Sequence, residues 1–156
     1  MDEKNTKITP GSLCRFVEVD PEDENTNKVY TLLSDNSIYY DIGSKAKVKS
    51  CILMNEKNGN GITISCEYFS DAIRKCTVDE SLDFIREVAL ENYSLYGWRY
   101  GQYAFNLAMN YFPKETNQLR GTKFDPFFYV EVEKVDGFIE ALRALITENC
   151  SKEEKE

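Results

Sequence analysis

The chain has 156 residues, 42% of them hydrophobic and 13% aromatic, and carries a net charge of −8. That length suits one domain, or two small subdomains sharing a core, with enough apolar material to bury one. The acidic balance argues against a general nucleic-acid or anionic-membrane binder, which needs a basic face.

In chain order, residues 1–10 are polar, lack an apolar period and read as a disordered tail. Residues 11–76 read as an antiparallel β subdomain. LCRFVEV, KVYTLL, SIYYDI, KAKVKSCILM and GITISCEY are short, β-branched, aromatic and partly alternating. The breaks between them, DPEDENTN, SDN, GS and EKNGNG, are turn-like, and the last is the strongest hairpin signal. A two-residue turn at Asn58-Gly59 puts Cys51 opposite Cys66. A register on Asn60-Gly61 separates them, so no disulfide is inferred. The expected object is a meander of four or five strands, or a small barrel.

Residues 77–150 read as a helical subdomain interrupted by an RGT–DPF loop. Thr77 with Glu80 forms a capping box, and Leu82, Ile85, Val88 and Ala89 then recur at helical spacing to about Tyr93. A second helix runs from about Trp98 to Phe112 and stops at Pro113. Residues 114–119 allow one short turn, with Gly121 as its C-cap. FFYVEVEKV suggests a short strand. Asp136 caps a final helix with Phe138, Ile139, Leu142, Leu145 and Ile146 on one face, and residues 151–156 read as a second disordered tail. The fold class is α+β: an N-terminal antiparallel β-meander or small barrel packed against about three C-terminal helices.

The chain has no histidine. That excludes Ser-His-Asp and Cys-His catalysis and zinc sites that need imidazole. There is no Walker A motif, and GWRYG is not GxGxxG. EVDPEDENTNKVYT imitates a calcium loop through Asp20, Glu22 and Glu24, but Asn25 stands where glycine is needed and Thr31 where a bidentate glutamate is needed. It reads as a solvated acidic loop, so neither a metal nor a cofactor is expected. Five cysteines without a CxxC, and no signal peptide, point to reduced thiols and a cytoplasmic location. The glycosylation patterns at Asn92 and Asn149 matter only in a secreted chain. No apolar run approaches membrane-spanning length.

Two segments carry the candidate site: GWRYGQYAFNLAMNYF, residues 97–112, and LRGTKFDPFF, residues 119–128. On a helix, Arg99, Gln102, Asn106 and Asn110 fall three and four apart as a polar stripe. Ala104, Leu107, Ala108 and Tyr111 make one apolar face, and Trp98, Phe105 and Phe112 make another. A helix packed on most sides needs partners for that stripe. In the second segment Gly121 permits a tight turn, and Asp125 before Pro126 can accept backbone N–H bonds or pair with an arginine. Phe127 and Phe128 would fasten the loop to the core. One reading is a structural latch. The other is a shallow anion or peptide site using Arg99, Gln102, Asn106, Arg120, Thr122 and Asp125, with Lys123 beside them. No residue is assigned a catalytic role.

The combination W-R-Y-G-Q-x-x-F-N, then a proline, then L-R-G-T-x-x-D-P-F-F resembles a pattern in small proteins of phages and bacterial mobile elements. These show R-x-G-Q-x-x-x-N followed by R-G-T-x-x-D-P-F-Y, with no activity attached to it. The resemblance covers about residues 97–129, a fifth of the chain, and Phe128 stands where Tyr is usual. It implies a phage, prophage or gut-bacterial context and no particular chemistry. The expected function is a non-enzymatic, cytoplasmic protein-interaction module of phage-accessory type whose acidic surface meets a basic partner. One version is an inhibitor of a nucleic-acid-handling host protein, with carboxylates standing in for phosphates. The alternative is a small anionic-ligand or nucleotide-binding domain centred on the Arg99/Arg120 cluster. Neither direct nucleic-acid binding nor a membrane partner is expected.

Overall fold

The computed structural model describes residues 8–55, 57 and 59–155, with side chains described through residue 150. The chain divides into two compact units between Cys76 and Thr77. The first contains strands β1 (Leu13–Phe16), β2 (Tyr30–Asp41), β3 (Ala46–Met54) and β4 (Gly61–Ser65), helix α1 (Cys66–Ala72) and strand β5 (Ile73–Lys75). The second contains helices α2 (Val78–Asn92), α3 (Tyr100–Tyr111), α4 (Pro113–Leu119) and α5 (Val132–Lys155).

The α+β class is observed, but the sheet is open rather than a barrel. Its five strands lie in the order β4-β3-β2-β1-β5, every pairing antiparallel. The meander supplies four of them, and β5 returns to pair with β1 at its far edge. Closure would require β4 and β5 to meet. Instead each remains an edge, and Cys14, Phe16, Tyr30, Leu32, Cys51, Leu53 and Ile73 form a core on one face. Ile8, Cys66, Phe69 and Ala72 pack against that core, so residue 8 and α1 belong to the fold, although the polar N-terminus and the strand-like ITISCEY suggest otherwise. Ser65 starts α1 by accepting the Tyr68 N–H at 3.0 Å. Seven residues are too few to display a helical period.

The β3–β4 register is neither of the two anticipated. Met54 pairs with Gly61 and Cys51 with Ile64, which leaves six residues in the connection. Asn55 organises it: its Oδ1 accepts the Lys57 N–H at 2.9 Å and its carbonyl accepts the Gly59 N–H at 2.7 Å. Such an Asx turn competes with the tight two-residue turn. Asn58 itself lies outside the described residues. The Cys51 and Cys66 sulfurs still approach to 3.8 Å, as free thiols.

Among the described residues the second unit has four α-helices and the chain five, where about three are anticipated. The Thr77–Glu80 capping box is present in full. As expected, α3 ends before Pro113, and the short turn anticipated over residues 114–119 is α4, with Pro113 in its first turn, where its missing N–H costs nothing. FFYVEVEKV is not a strand. Residues 127–131 have no ladder partner among the described residues, and α5 begins at Val132, four residues before Asp136. Asp136, inside the helix, pairs with Arg86 of α2 at 3.3 Å. Val135, Phe138, Ile139, Leu142 and Ile146 of α5 are buried, as are Leu82, Phe84, Ile85, Val88 and Ala89 of α2. The helix runs on to Lys155, where a disordered tail is anticipated, and Lys and Glu are good helix formers. No helix among the described residues is long and apolar enough to cross a membrane.

Candidate functional site

The loop from Arg120 to Glu131, between α4 and α5, contains little regular structure, so its polar groups find partners locally. Asp125 is the centre. Its Oδ2 accepts the Gly121 N–H at 2.7 Å and its Oδ1 accepts the Phe127 N–H at 2.9 Å. Thr122 Oγ1 donates to the Leu119 carbonyl at 2.7 Å and accepts the Phe124 N–H at 3.2 Å. Gly121 supplies the left-handed residue, at φ +76°, that lets the chain turn out of α4.

The start of α3 closes on this loop. Gly101 donates its N–H to the Tyr129 carbonyl at 2.9 Å. A Cβ on Gly101 would collide with the Pro126 carbonyl and come within 2.7 Å of the Tyr129 oxygen. Only glycine permits this approach. Arg99 Nε donates to the Phe127 carbonyl at 3.1 Å. Its guanidinium lies 5.5 Å from the Phe127 ring centre and 5.4 Å from that of Phe128. Gln102 Oε1 accepts the Arg99 N–H at 3.2 Å, satisfying a donor at the helix entrance.

Of the six candidates, the structure therefore brings Arg99, Gln102, Thr122 and Asp125 into one bonded assembly. Arg120 joins through a ring: its guanidinium lies 5.0 Å from the centre of the buried Phe105 ring, and its Nε donates to Asn117 Oδ1 at 3.2 Å. Asn106 does not join. It is half-buried and makes no side-chain hydrogen bond among the described residues. Arg99 has extended backbone at φ −80°, ψ 152°, so it precedes the helix rather than continuing the stripe. Asn110, further along the helix, is exposed.

Phe127 fastens the loop through edge-to-face contact with Phe105 at 5.9 Å. Phe128 does not; it is 75% exposed. The two are the central residues of a turn closed by the Tyr129 N–H on the Pro126 carbonyl at 2.9 Å, and the chain reversal there turns Phe127 inward and leaves Phe128 outside. Phe124, Tyr129, Val130 and Val132 are exposed as well. Lys123 sits 5.1 Å from the Phe124 ring centre and Lys134 sits 4.7 Å from that of Tyr129. Tyr96, Trp98 and Tyr103 form a second ring cluster before and along α3, with centroids 5.4–6.2 Å apart. Sequence reasoning missed this cluster. Its signal was LYGWRY, where Gly97, at φ +70°, reverses the chain and leaves the large flanking side chains outside.

No family model matches the chain, and no curated protein and no solved structure matches it. The site must be read from its own chemistry. Asp125 is spent on backbone donors. Neither guanidinium has a carboxylate partner among the described residues. What remains accessible is a fixed loop displaying apolar and aromatic side chains beside cations.

Proposed function

We propose that the chain is a non-enzymatic protein-interaction module of phage-accessory type, and that residues 120–131, with Tyr96, Trp98 and Tyr103, form its contact surface. One observation carries this reading: Phe124, Phe128, Tyr129, Val130 and Val132 are exposed on a segment whose backbone is fixed by Asp125, Arg99 and Gly101. Contiguous exposed apolar groups are unfavourable in water and mark binding surfaces. Ordering them in advance lowers the entropic cost of association, and Trp, Tyr and Arg are the side chains that dominate interface energetics. The latch and the interaction reading thus combine, the first holding the second in place. The net charge of −8 suits a partner with basic surroundings to its apolar contact. A cytoplasmic inhibitor of a nucleic-acid-handling host protein is the version of this role that the charge suggests.

The test is affinity capture from the native cytoplasm with mass spectrometry, run in parallel on the wild type and on a Phe128→Asp, Val130→Asp variant. The expected result is a partner retained by the wild type and lost by the variant, with the chemical denaturation midpoint unchanged. An identical set of captured proteins from both would overturn the assignment. A second reading draws on the uncompensated guanidinium groups of Arg99 and Arg120: a small anion such as a nucleotide would bind there. Calorimetric titration with nucleotides, compared with Arg120→Ala, separates it from the first.

A further inference from the structure

In the first unit, β2 and β3 run past their neighbours. β1 pairs only with Tyr30 and Thr31 of β2, and β4 reaches no further along β3 than Ser50. Beyond these points Ile38↔Lys49, Tyr39↔Val48, Tyr40↔Lys47 and Asp41↔Ala46 form a ribbon of two strands, with no third strand beside it among the described residues. From Ser37 to the turn it projects about 15 Å, at roughly 3.4 Å per residue. A lone two-stranded ribbon is marginally stable in water, yet this one exposes Ile38 (63%), Tyr40 (59%) and Ile42 (82%).

Cross-strand partners share a face of the sheet. One face therefore carries Ile38, Tyr40, Lys47 and Lys49, and the other carries Tyr39 and Val48. Lys45 stands in the turn at the ribbon's tip, at φ +57°, a left-handed conformation that glycine or asparagine adopts at less cost. Residues 36–50 contain three lysines and a single carboxylate, Asp41. That carboxylate is engaged in the turn: its Oδ2 accepts the Ser44 N–H at 3.3 Å, and hydrogen bonding from Ser44 holds its carboxyl below the usual range. Lysines scattered along an exposed ribbon would serve merely to discourage edge pairing. Here both strand lysines lie on one face, interleaved with an aromatic ring and an aliphatic side chain.

We propose that this ribbon face binds nucleic acid through the phosphodiester backbone, with Lys45, Lys47 and Lys49 on phosphates and Tyr40 against sugar or base. Lys47 and Lys49 are about 7 Å apart along the strand, and flexible ammonium groups suit a repeating line of phosphates. An acidic protein surface, with carboxylates at fixed positions, is better met by the planar fork of arginine, and the ribbon contains none. A two-stranded ribbon fits the major groove of a duplex, and tyrosine stacks on unpaired bases. The net charge of −8 repels polyanions from the rest of the molecule, so the contact is confined to the ribbon and strongly salt-dependent.

Fluorescence anisotropy with labelled single-stranded and duplex oligonucleotides tests this, together with polyglutamate of equal length. Three phosphate contacts predict that affinity falls about 40-fold for duplex, or about 20-fold for single strand, between 50 and 200 mM salt. Lys47→Glu with Lys49→Glu should abolish binding with an unchanged melting curve, and Lys47→Arg with Lys49→Arg should retain it. Tyr40→Ala should weaken single-strand binding more than duplex binding. Absence of binding to both oligonucleotides, binding that survives the double Glu variant, or equal affinity for polyglutamate would overturn the proposal. The last result would assign the face to an acidic protein.

Discussion

Asp125 holds two backbone N–H groups that no other side chain reaches, 2.7 and 2.9 Å from its oxygens. Asp125→Ala leaves the half-buried Phe127 N–H without its acceptor, while the exposed Gly121 N–H turns to water, and is expected to cost about 1 kcal/mol, read as a lowered urea midpoint. Asn106→Leu is expected to change stability by less than about 0.5 kcal/mol, since Asn106 makes no side-chain hydrogen bond among the described residues. The two positions show how far the polar stripe was legible. Spacing placed Arg99, Gln102 and Asn106 together on a helical wheel. But Arg99 precedes the helix, and Asn106 lies roughly 10 Å further along the axis at 1.5 Å per residue. The wheel gives azimuth and no depth: the loop's hydrogen bonds reach only the start of α3, at Arg99 and Gly101, and one turn further on it meets the helix through the apolar Phe105.

At the level of elements, the decisive contact is backbone against backbone: α3 on residues 126–129 through Gly101. Gly101→Ala is expected to cost about 3 kcal/mol, because the methyl group must displace main chain rather than a flexible side chain. Gly137 in α5 is the control. A Cβ there meets nothing within 4 Å, so Gly137→Ala should instead stabilise by about 0.5–1 kcal/mol. Thermal melts of the pair would show opposite shifts. Elements whose signals are local were readable in advance, such as the capping box of α2 and the apolar period of α5. Elements decided by a distant partner were not. FFYVEV alternates like a strand but has none beside it, and the reason for Gly101 lies a quarter of a hundred residues along the chain, in a loop whose position no local pattern specifies. Pro113, a local signal, was legible as the break before α4.

At the level of the whole molecule, the two units differ in chemistry. Cys14, Cys51, Cys66 and Cys76 all lie in the first, and three of these are buried. Burial pushes the Cys14 thiol up to about 12, helped by Cys76 and Cys51, and the Cys51 thiol up to about 11, helped by Cys66. The folded state therefore keeps protons that the unfolded chain releases near pH 9. Below pH 9 these thiols add no pH dependence. Above it stability should fall, by up to about 1.4 kcal/mol per pH unit for each thiol, until the folded groups ionise. Urea titrations at pH 8, 9.5 and 10.5 would show the decline, and Cys14→Ala should make it shallower. Net charge, the other molecular quantity, was legible from composition but misleading in detail. A total of −8 conceals a ribbon with three lysines and one engaged carboxylate, because a sum has no geometry.

The place of β5 in the sheet order has a consequence for how the protein is made. β1 is synthesised before the other strands of its sheet, yet its outer neighbour, Ile73–Lys75, is made after all of them. At 5–20 residues per second, the roughly sixty residues between them take several seconds to appear. For that interval the nascent chain carries an unpaired β1 edge beside a forming hydrophobic core, which is the geometry that recruits strands from neighbouring chains. Translation that pauses or terminates before Ile73 would thus release a species prone to association, whereas one completed to Cys76 has β1 covered and presents only the three-residue β5 on that side.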